Sequence, residues 1–179
     1  MQLPLDVDPS LIHRLFYPQV PAIMSSKLGE RVSAMPVVSY SSVSGVPPLV
    51  AVSCYPTGFT CRLAQKAGTF SLCILDRGHA AAITRLASAS GAKVKDKLAD
   101  AGLGYSLGAR LKVPVLDESV ASLECALKSK KKLGDHLLLV GRVMAAHASE
   151  SFNDFWDFAR YRPLLYTGWR DGLTTYPGT

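Results

Sequence analysis

Ser39-Tyr-Ser-Ser-Val-Ser-Gly-Val-Pro-Pro-Leu-Val-Ala-Val-Ser53 is the stretch whose reading decides the fold. Met35 to Tyr40 reads as one apolar strand and Leu49 to Cys54 as the next. Between them, Ser41, Ser42 and Ser44 crowd hydroxyls into a bend, which Gly45 and the Pro47-Pro48 pair punctuate. Tyr55-Pro-Thr-Gly-Phe-Thr60 is a second hydroxyl-bearing turn, and it leads into a helix. Backbone N–H groups, hydroxyls and a helix N-terminus together suit a phosphorylated, planar cofactor, without the glycine spacing of a nucleotide fingerprint. The same serines also fit an ordinary polar loop between strands.

Outward from this segment the pattern is mainly β. Val20 to Ser26 is a strand candidate, Lys27-Leu-Gly-Glu30 a hairpin turn and Arg31 to Tyr40 the return. Pro36 inside that return demands an edge position, a bulge or a break in the ladder. Leu49 to Ser53 is nearly all apolar, as in a strand buried on both faces. Thr57 or Thr60 is placed to cap a helix over Cys61 to Ala67, with Gly68 ending it. Thr69 to Leu75 is a further strand. Gly78 to Ser90 and Ala92 to Ala101 read as helices, the second with an exposed Lys93/Lys97 face.

Gly102 to Gly108 is a loop whose G-x-G-x-x-x-G spacing, preceded by a helix-like segment, fails as a dinucleotide fingerprint. Ser119 to Lys131 and His136 to His147 form the clearest hairpin, with Leu123, Cys125 and Leu127 alternating against Glu124, Ala126 and Lys128. Phe152 to Phe158 reads as an aromatic turn or helix, and Pro163 to Tyr166 as a last strand before a tail. At the N-terminus, Asp8 and Pro9 open a short helix packed on the barrel mouth. Strands in hairpins with short helices at their ends predict a β-barrel with peripheral helices, one domain over 1–179.

Composition narrows the function. The chain has 179 residues, 48% of them hydrophobic, which predicts a folded globule. Net charge is +6, but the one dense basic run, Lys128 to Lys132, carries no interleaved aromatics and reads as a solvated hairpin arm, not a nucleic-acid site. None of the four cysteines forms a C-x-x-C pair. Three read as small buried hydrophobes, and Cys61, near a helix start, as the more reactive one. His, Asp and Glu show no metal-ligand spacing, so no metal is expected. The N-terminus lacks a signal-peptide pattern and no apolar run approaches the ~20 residues of a bilayer span, so the expectation is a cytoplasmic protein with no membrane partner.

The segment from Ser33 to Ser44 followed by Pro47-Pro-Leu-Val-Ala-Val52 resembles the flavin reductase-like, FMN-binding split-barrel proteins. Four further motifs follow in order: Thr60, Ala67-Gly-Thr-Phe-Ser-Leu-Cys-Ile-Leu75, Gly134-Asp-His136 before Val140-Gly-Arg-Val143, and Pro163-Leu-Leu-Tyr166. Ser33, Pro36, Val38 and Cys73 depart from the family pattern. The resemblance implies a homodimer with FMN, or FAD, near the subunit interface. It implies that Ser41, Ser42, Val43, Ser44, Thr57 and Thr60 meet the ribityl chain and phosphate. It places the backbone of Pro36, Val37, Val38 and Ser39 and the Cys54-Tyr55 strand end along the isoalloxazine ring, and counts Cys73 among the cofactor-binding residues. It implies an NAD(P)H-dependent flavin reductase with His136 near flavin and nicotinamide, although His136 also fits a residue that caps the hairpin turn. A flavoprotein without reductase activity, for electron transfer or FMN carriage, and a flavin-free binding module of the same fold are the alternatives.

Overall fold

The computed structural model describes residues 6–168 and 172–175. A 3-10 helix, Pro9–Phe16, is capped by Asp8 and buries none of its residues, so it lies on the surface and not in a barrel mouth. The strands and helices follow: β1 (Ala22–Leu28), β2 (Arg31–Val37), β3 (Tyr40–Ser44), β4 (Leu49–Cys54), α1 (Phe59–Ala67), β5 (Thr69–Ile74), α2 (Ala80–Ser88) and α3 (Lys97–Asp100). Then come β6 (Tyr105–Leu107), β7 (Pro114–Leu116), β8 (Ala121–Leu133), β9 (His136–Ala148), β10 (Phe152–Asn153), β11 (Phe155–Trp156), β12 (Leu164–Tyr166) and β13 (Leu173–Thr175).

One antiparallel sheet of seven strands dominates, in the order β2-β1-β5-β8-β9-β4-β3. Its two edge strands, β2 and β3, are consecutive in sequence and joined by Val38 and Ser39 alone. Three virtual bonds of about 3.8 Å let Val37 and Tyr40 stand at most about 11 Å apart. The sheet must therefore curl until its first and last strands meet at this corner. The result is a barrel split between β2 and β3, with Pro36 on an edge strand where its missing N–H leaves no gap in the ladder.

Strand alternation produces two cores. Ile23 and Met24 are neighbours and both are fully buried, on opposite faces. Met24 joins Val52, Phe70, Leu72 and Leu139 in one core. Ile23 joins Ala34, Leu75, Ile83, Leu86 and Leu98 in a second, formed with α2 and α3. Gly141 of β9 lets Phe70 approach, since a Cβ there would stand 2.5 Å from the ring. Gly68 ends α1 at φ 71°, where glycine is unstrained.

Several elements differ from expectation, each for a local reason. The strand from Met35 stops at Val37, and Ser41 to Ser44 form a strand instead of a bend. Backbone pairing of Ser41 with Ala51 and Ser42 with Val50 sets this, and an exposed edge places no demand on the side chains. The true turn is 45–48. Gly58 caps α1 with no side-chain bond, so neither Thr57 nor Thr60 is the cap. The helix expected over 92–101 shrinks to α3, because residues 95 and 96 join the edge of β2. Val32 N–H donates to Lys95 O (3.2 Å), and Asp96 caps α3 through Leu98 and Ala99 N–H. Lys97, expected on an exposed face, is 5% exposed, and burial pushes its ammonium pKa down.

The Phe152 to Phe158 segment holds a small β-ladder turned at Asp154 (φ 60°) and no helix. Tyr105–Leu107 in the expected loop pairs with β7. A register shift between Glu124 and Cys125 breaks the expected alternation, so both are buried. The part of the expected tail at 169–171 and 176–179 lies outside the described residues. Among the described residues, no helix is long and apolar enough to cross a membrane.

Candidate functional site

The split corner gathers most of the expected residues. β3 is an edge strand with one neighbour, so part of its backbone hydrogen-bonding capacity faces outward. Ser41, Ser42 and Val43 are exposed and Ser44 half-buried. Ser41 donates its hydroxyl to the carbonyl of Ser42 (3.1 Å). Among the described residues the hydroxyls of Ser42, Ser44 and Thr57 have no hydrogen-bond partner. A register shift at Val43 separates Ser42 from Ser44. Ser39 is exposed and its carbonyl accepts from Ser53 N–H (2.8 Å), which pins the corner to β4. Val37 is buried, and Pro36 and Val38 are half-buried.

At the far end of β4, Cys54 pairs with Leu137 of β9, which brings Tyr55 against His136 with ring centroids 4.2 Å apart. Tyr55 is 59% exposed. His136 Nδ1 lies 2.7 Å from Asp135 Oδ1. The hydrogen bond to His136 holds the Asp135 carboxyl below its ordinary range. An ionised carboxylate only accepts, so Nδ1 carries the proton and Nε2 is the nitrogen left for a ligand.

Two expected contacts sit elsewhere. Thr60 is 3% exposed, and its hydroxyl is bonded to Ser33 Oγ at 2.8 Å. Cys73 is fully buried in the second core, where its sulfur accepts from Leu116 N–H at 3.5 Å. All four cysteines are buried and unbridged. Cys54 and Cys61 lie against each other, a proximity that their spacing conceals. Sequence reasoning also missed Glu124, which is 1% exposed and accepts from the backbone N–H groups of Arg110 and Leu111. Its tip would lie 2.4 Å from any Cβ at position 108, so Gly108 and Glu124 together fix that turn.

Clefts among the described residues indent the surface. One of about 200 Å³ is lined by Leu28, Arg31, Phe59, Arg62, Leu63 and Lys66. Another, of about 420 Å³, is walled by Tyr40, Trp156, Phe158, Tyr161 and neighbouring aliphatic residues. Neither includes Ser41 to Ser44, Tyr55 or His136; the hydroxyl edge is known by its exposed Ser41, Ser42 and Val43. Among the described residues no group of three or more His, Cys, Asp or Glu is arranged to hold a metal.

A curled antiparallel sheet split between two edge strands, with helices outside it, is the split-barrel fold. The chain belongs to the flavin reductase-like family, whose domain model matches residues 13–171. It is 28% identical over 158 residues to an uncharacterised protein of Aeropyrum pernix, covering 88% of this chain but only 60% of that protein's length. It is 32% identical over 130 residues to the NADH-dependent FMN reductase AsuE2 of Streptomyces nodosus subsp. asukaensis, covering 73% of this chain and 69% of that one. Among solved structures, an FMN-binding protein from Thermus thermophilus with bound 1-cyclohex-2-enone superposes with a TM-score of 0.83. The identity is 30%, over 98% of this chain and 96% of that one.

Proposed function

We propose that this protein is an FMN-binding oxidoreductase, an NAD(P)H-dependent flavin reductase acting as a homodimer, with 1–179 as a single domain. The observation that carries this reading is the exposed hydroxyl edge of β3 at the barrel split, with the His136–Tyr55 pair at the far end of the neighbouring strand β4. The donor set fits a flavin mononucleotide: unpartnered hydroxyls and edge amides for a ribityl phosphate, and apolar strand ends for a planar ring. The phosphate contacts fall to Ser42, Ser44 and Thr57, since Thr60 is closed onto Ser33. FAD, with the same ribityl phosphate, fits the same donors.

When bound, FMN supplies the redox chemistry, accepting a hydride and passing on two electrons. The chain's own residues bind and orient. Backbone at Pro36 to Ser39 and at Cys54-Tyr55 borders the ring, and His136, held by Asp135, offers Nε2 to the ligands. No acid–base side chain is required for hydride transfer, which suits a site poor in carboxylates.

The apolar strands Leu49 to Ser53 and Leu137 to Val143 do not by themselves require a partner subunit. One chain already buries much of these, with Val52 and Leu139 at 0% exposure. Support comes instead from Val43 (53% exposed) and Val46 (96%), on the hydroxyl edge and in the turn after it, and from Tyr55 (59%) at the far end of β4, apolar surface that a second copy would cover. Light scattering should give twice the chain mass of 19.2 kDa, and a monomer at micromolar concentration would refute the dimer. The central test is oxidation of NADH or NADPH by the purified protein with and without added FMN. Turnover that depends on FMN supports the reading. Bound flavin without turnover indicates an electron carrier, and failure to bind flavin indicates a binding module.

A further inference from the structure

We propose that Cys54 and Cys61 are a redox couple, a dithiol that hydrogen peroxide closes to a disulfide between the end of β4 and the first turn of α1. The two sulfurs lie 2.9 Å apart, inside van der Waals contact, and a disulfide of about 2.05 Å needs only a small further approach. Their C-x6-C spacing matches no redox motif, and only the fold brings them together. The proposal does not depend on flavin binding.

The two sulfurs are not equivalent. Cys54 donates its S–H to Cys61, and Gln65 Nε2 donates to the Cys61 sulfur from 3.6 Å. Cys61 stands in the first turn of the nine-residue α1, where unpaired N–H groups favour an anion. The Cys54 hydrogen bond, then Gln65, Arg62 and Lys130, bring the Cys61 thiol down to about 7 against the effect of burial, while the same partnership raises Cys54. Cys61 is therefore the attacking sulfur and Cys54 the resolving one. Cys61 is 0% and Cys54 6% exposed, so a local opening must admit the oxidant, which favours a small, uncharged one over a bulky disulfide.

The chemistry balances in two steps. The Cys61 thiolate attacks peroxide, the O–O bond breaks, and one oxygen stays on sulfur as a sulfenic acid while hydroxide leaves. The Cys54 sulfur then attacks Cys61, the S–S bond forms, and the S–O bond breaks, releasing water that carries the Cys54 proton. In sum, two thiols lose two electrons and two protons, and peroxide becomes two waters. The bond would clamp the segment 55–60, which carries Tyr55 and Thr57.

Both cysteines lie between Arg31 and Arg62 with no intervening lysine or arginine, so one tryptic peptide, 32–62, reports on them. The reduced full-length protein is treated with hydrogen peroxide, unfolded, alkylated, digested and weighed. The expected peptide is two hydrogens lighter and carries no alkyl group, and dithiothreitol restores it to the doubly alkylated form. Cys73 and Cys125 stay fully alkylated. Cys54→Ser should stop at a sulfenic acid on Cys61 that dimedone traps. A doubly alkylated 32–62 peptide after peroxide, a wild-type result that needs no variant, overturns the proposal. So does a disulfide to Cys73 or Cys125, or dimedone captured at either of those two in Cys54→Ser.

Discussion

The hydroxyls on β3 and the hydroxyl of Thr60 in α1 belong to neighbouring corners of the chain, yet they do opposite things. Ser42 and Ser44 lie on an edge strand without a partner. Thr60 is buried and closed onto Ser33, which ties the first turn of α1 to the middle of β2. A donor facing water contributes almost nothing to folding and is free for a ligand. A donor in the interior is obligatory, because its partner would otherwise be left dry and unpaired. The same chemical group is thus a candidate site residue at one corner and a structural one at the other.

Substitutions at the two corners test this contrast. The largest effect is expected from Thr60→Val, which keeps the shape but leaves Ser33 Oγ unpaired in the interior. Urea unfolding should show a loss of about 1–3 kcal/mol. Adding Ser33→Ala should recover part of that loss, since removing both partners of a buried bond is far milder than removing one. No loss in Thr60→Val would mean that the pair does not hold α1.

Next comes Ser42→Ala. Its stability should stay within about 0.5 kcal/mol of wild type, as for an ordinary surface change. Its FMN dissociation constant should rise about tenfold, the equivalent of roughly 1.4 kcal/mol. Riboflavin affinity separates the contacts: an unchanged value assigns Ser42 to the phosphate, and an equal loss assigns it to the ribityl chain. Unchanged affinity for both ligands would remove Ser42 from the site. The smallest effect is expected from Ser41→Ala. This hydroxyl already donates to Ser42 O, so FMN affinity should change less than about threefold, which is under 0.7 kcal/mol.

The long hairpin was legible because alternation and the Gly134-Asp135 turn point the same way, and they yield β8 and β9 to within a few residues. Pro36 announced an edge, a bulge or a break, because a missing N–H has few places to go, and the sheet resolves this as an edge strand. The serine strand was not legible. Serine favours bends through its side chain, but the pairing of β3 with β4 is made by the backbone and overrides that preference. The burial of Lys97 and Glu124 was not legible, because exposure is the ordinary fate of both residue types. One is buried where 95–96 join β2, the other where a bulge turns it inward to two backbone amides. The candidate site could be proposed from the sequence as a stretch of chain. Which of its hydroxyls remain free depended on cross-strand partners, such as Ser33 for Thr60, that no local pattern encodes.

The strand order also governs when the site can exist during synthesis. The β1–β2 and β3–β4 hairpins are made early, but they are not neighbours in the sheet. β5 meets β8, and β4 meets β9, with Leu49 opposite Arg142. Until residue 142 has left the ribosome, the serine edge hangs on a lone hairpin with its apolar face uncovered, and a two-stranded hairpin is marginal in water. Closing the barrel waits for β4–β9 contacts between residues 83 to 93 positions apart, the slow kind of assembly. A nascent chain halted before the β8–β9 hairpin therefore carries every serine of the edge and no cradle in which to use them.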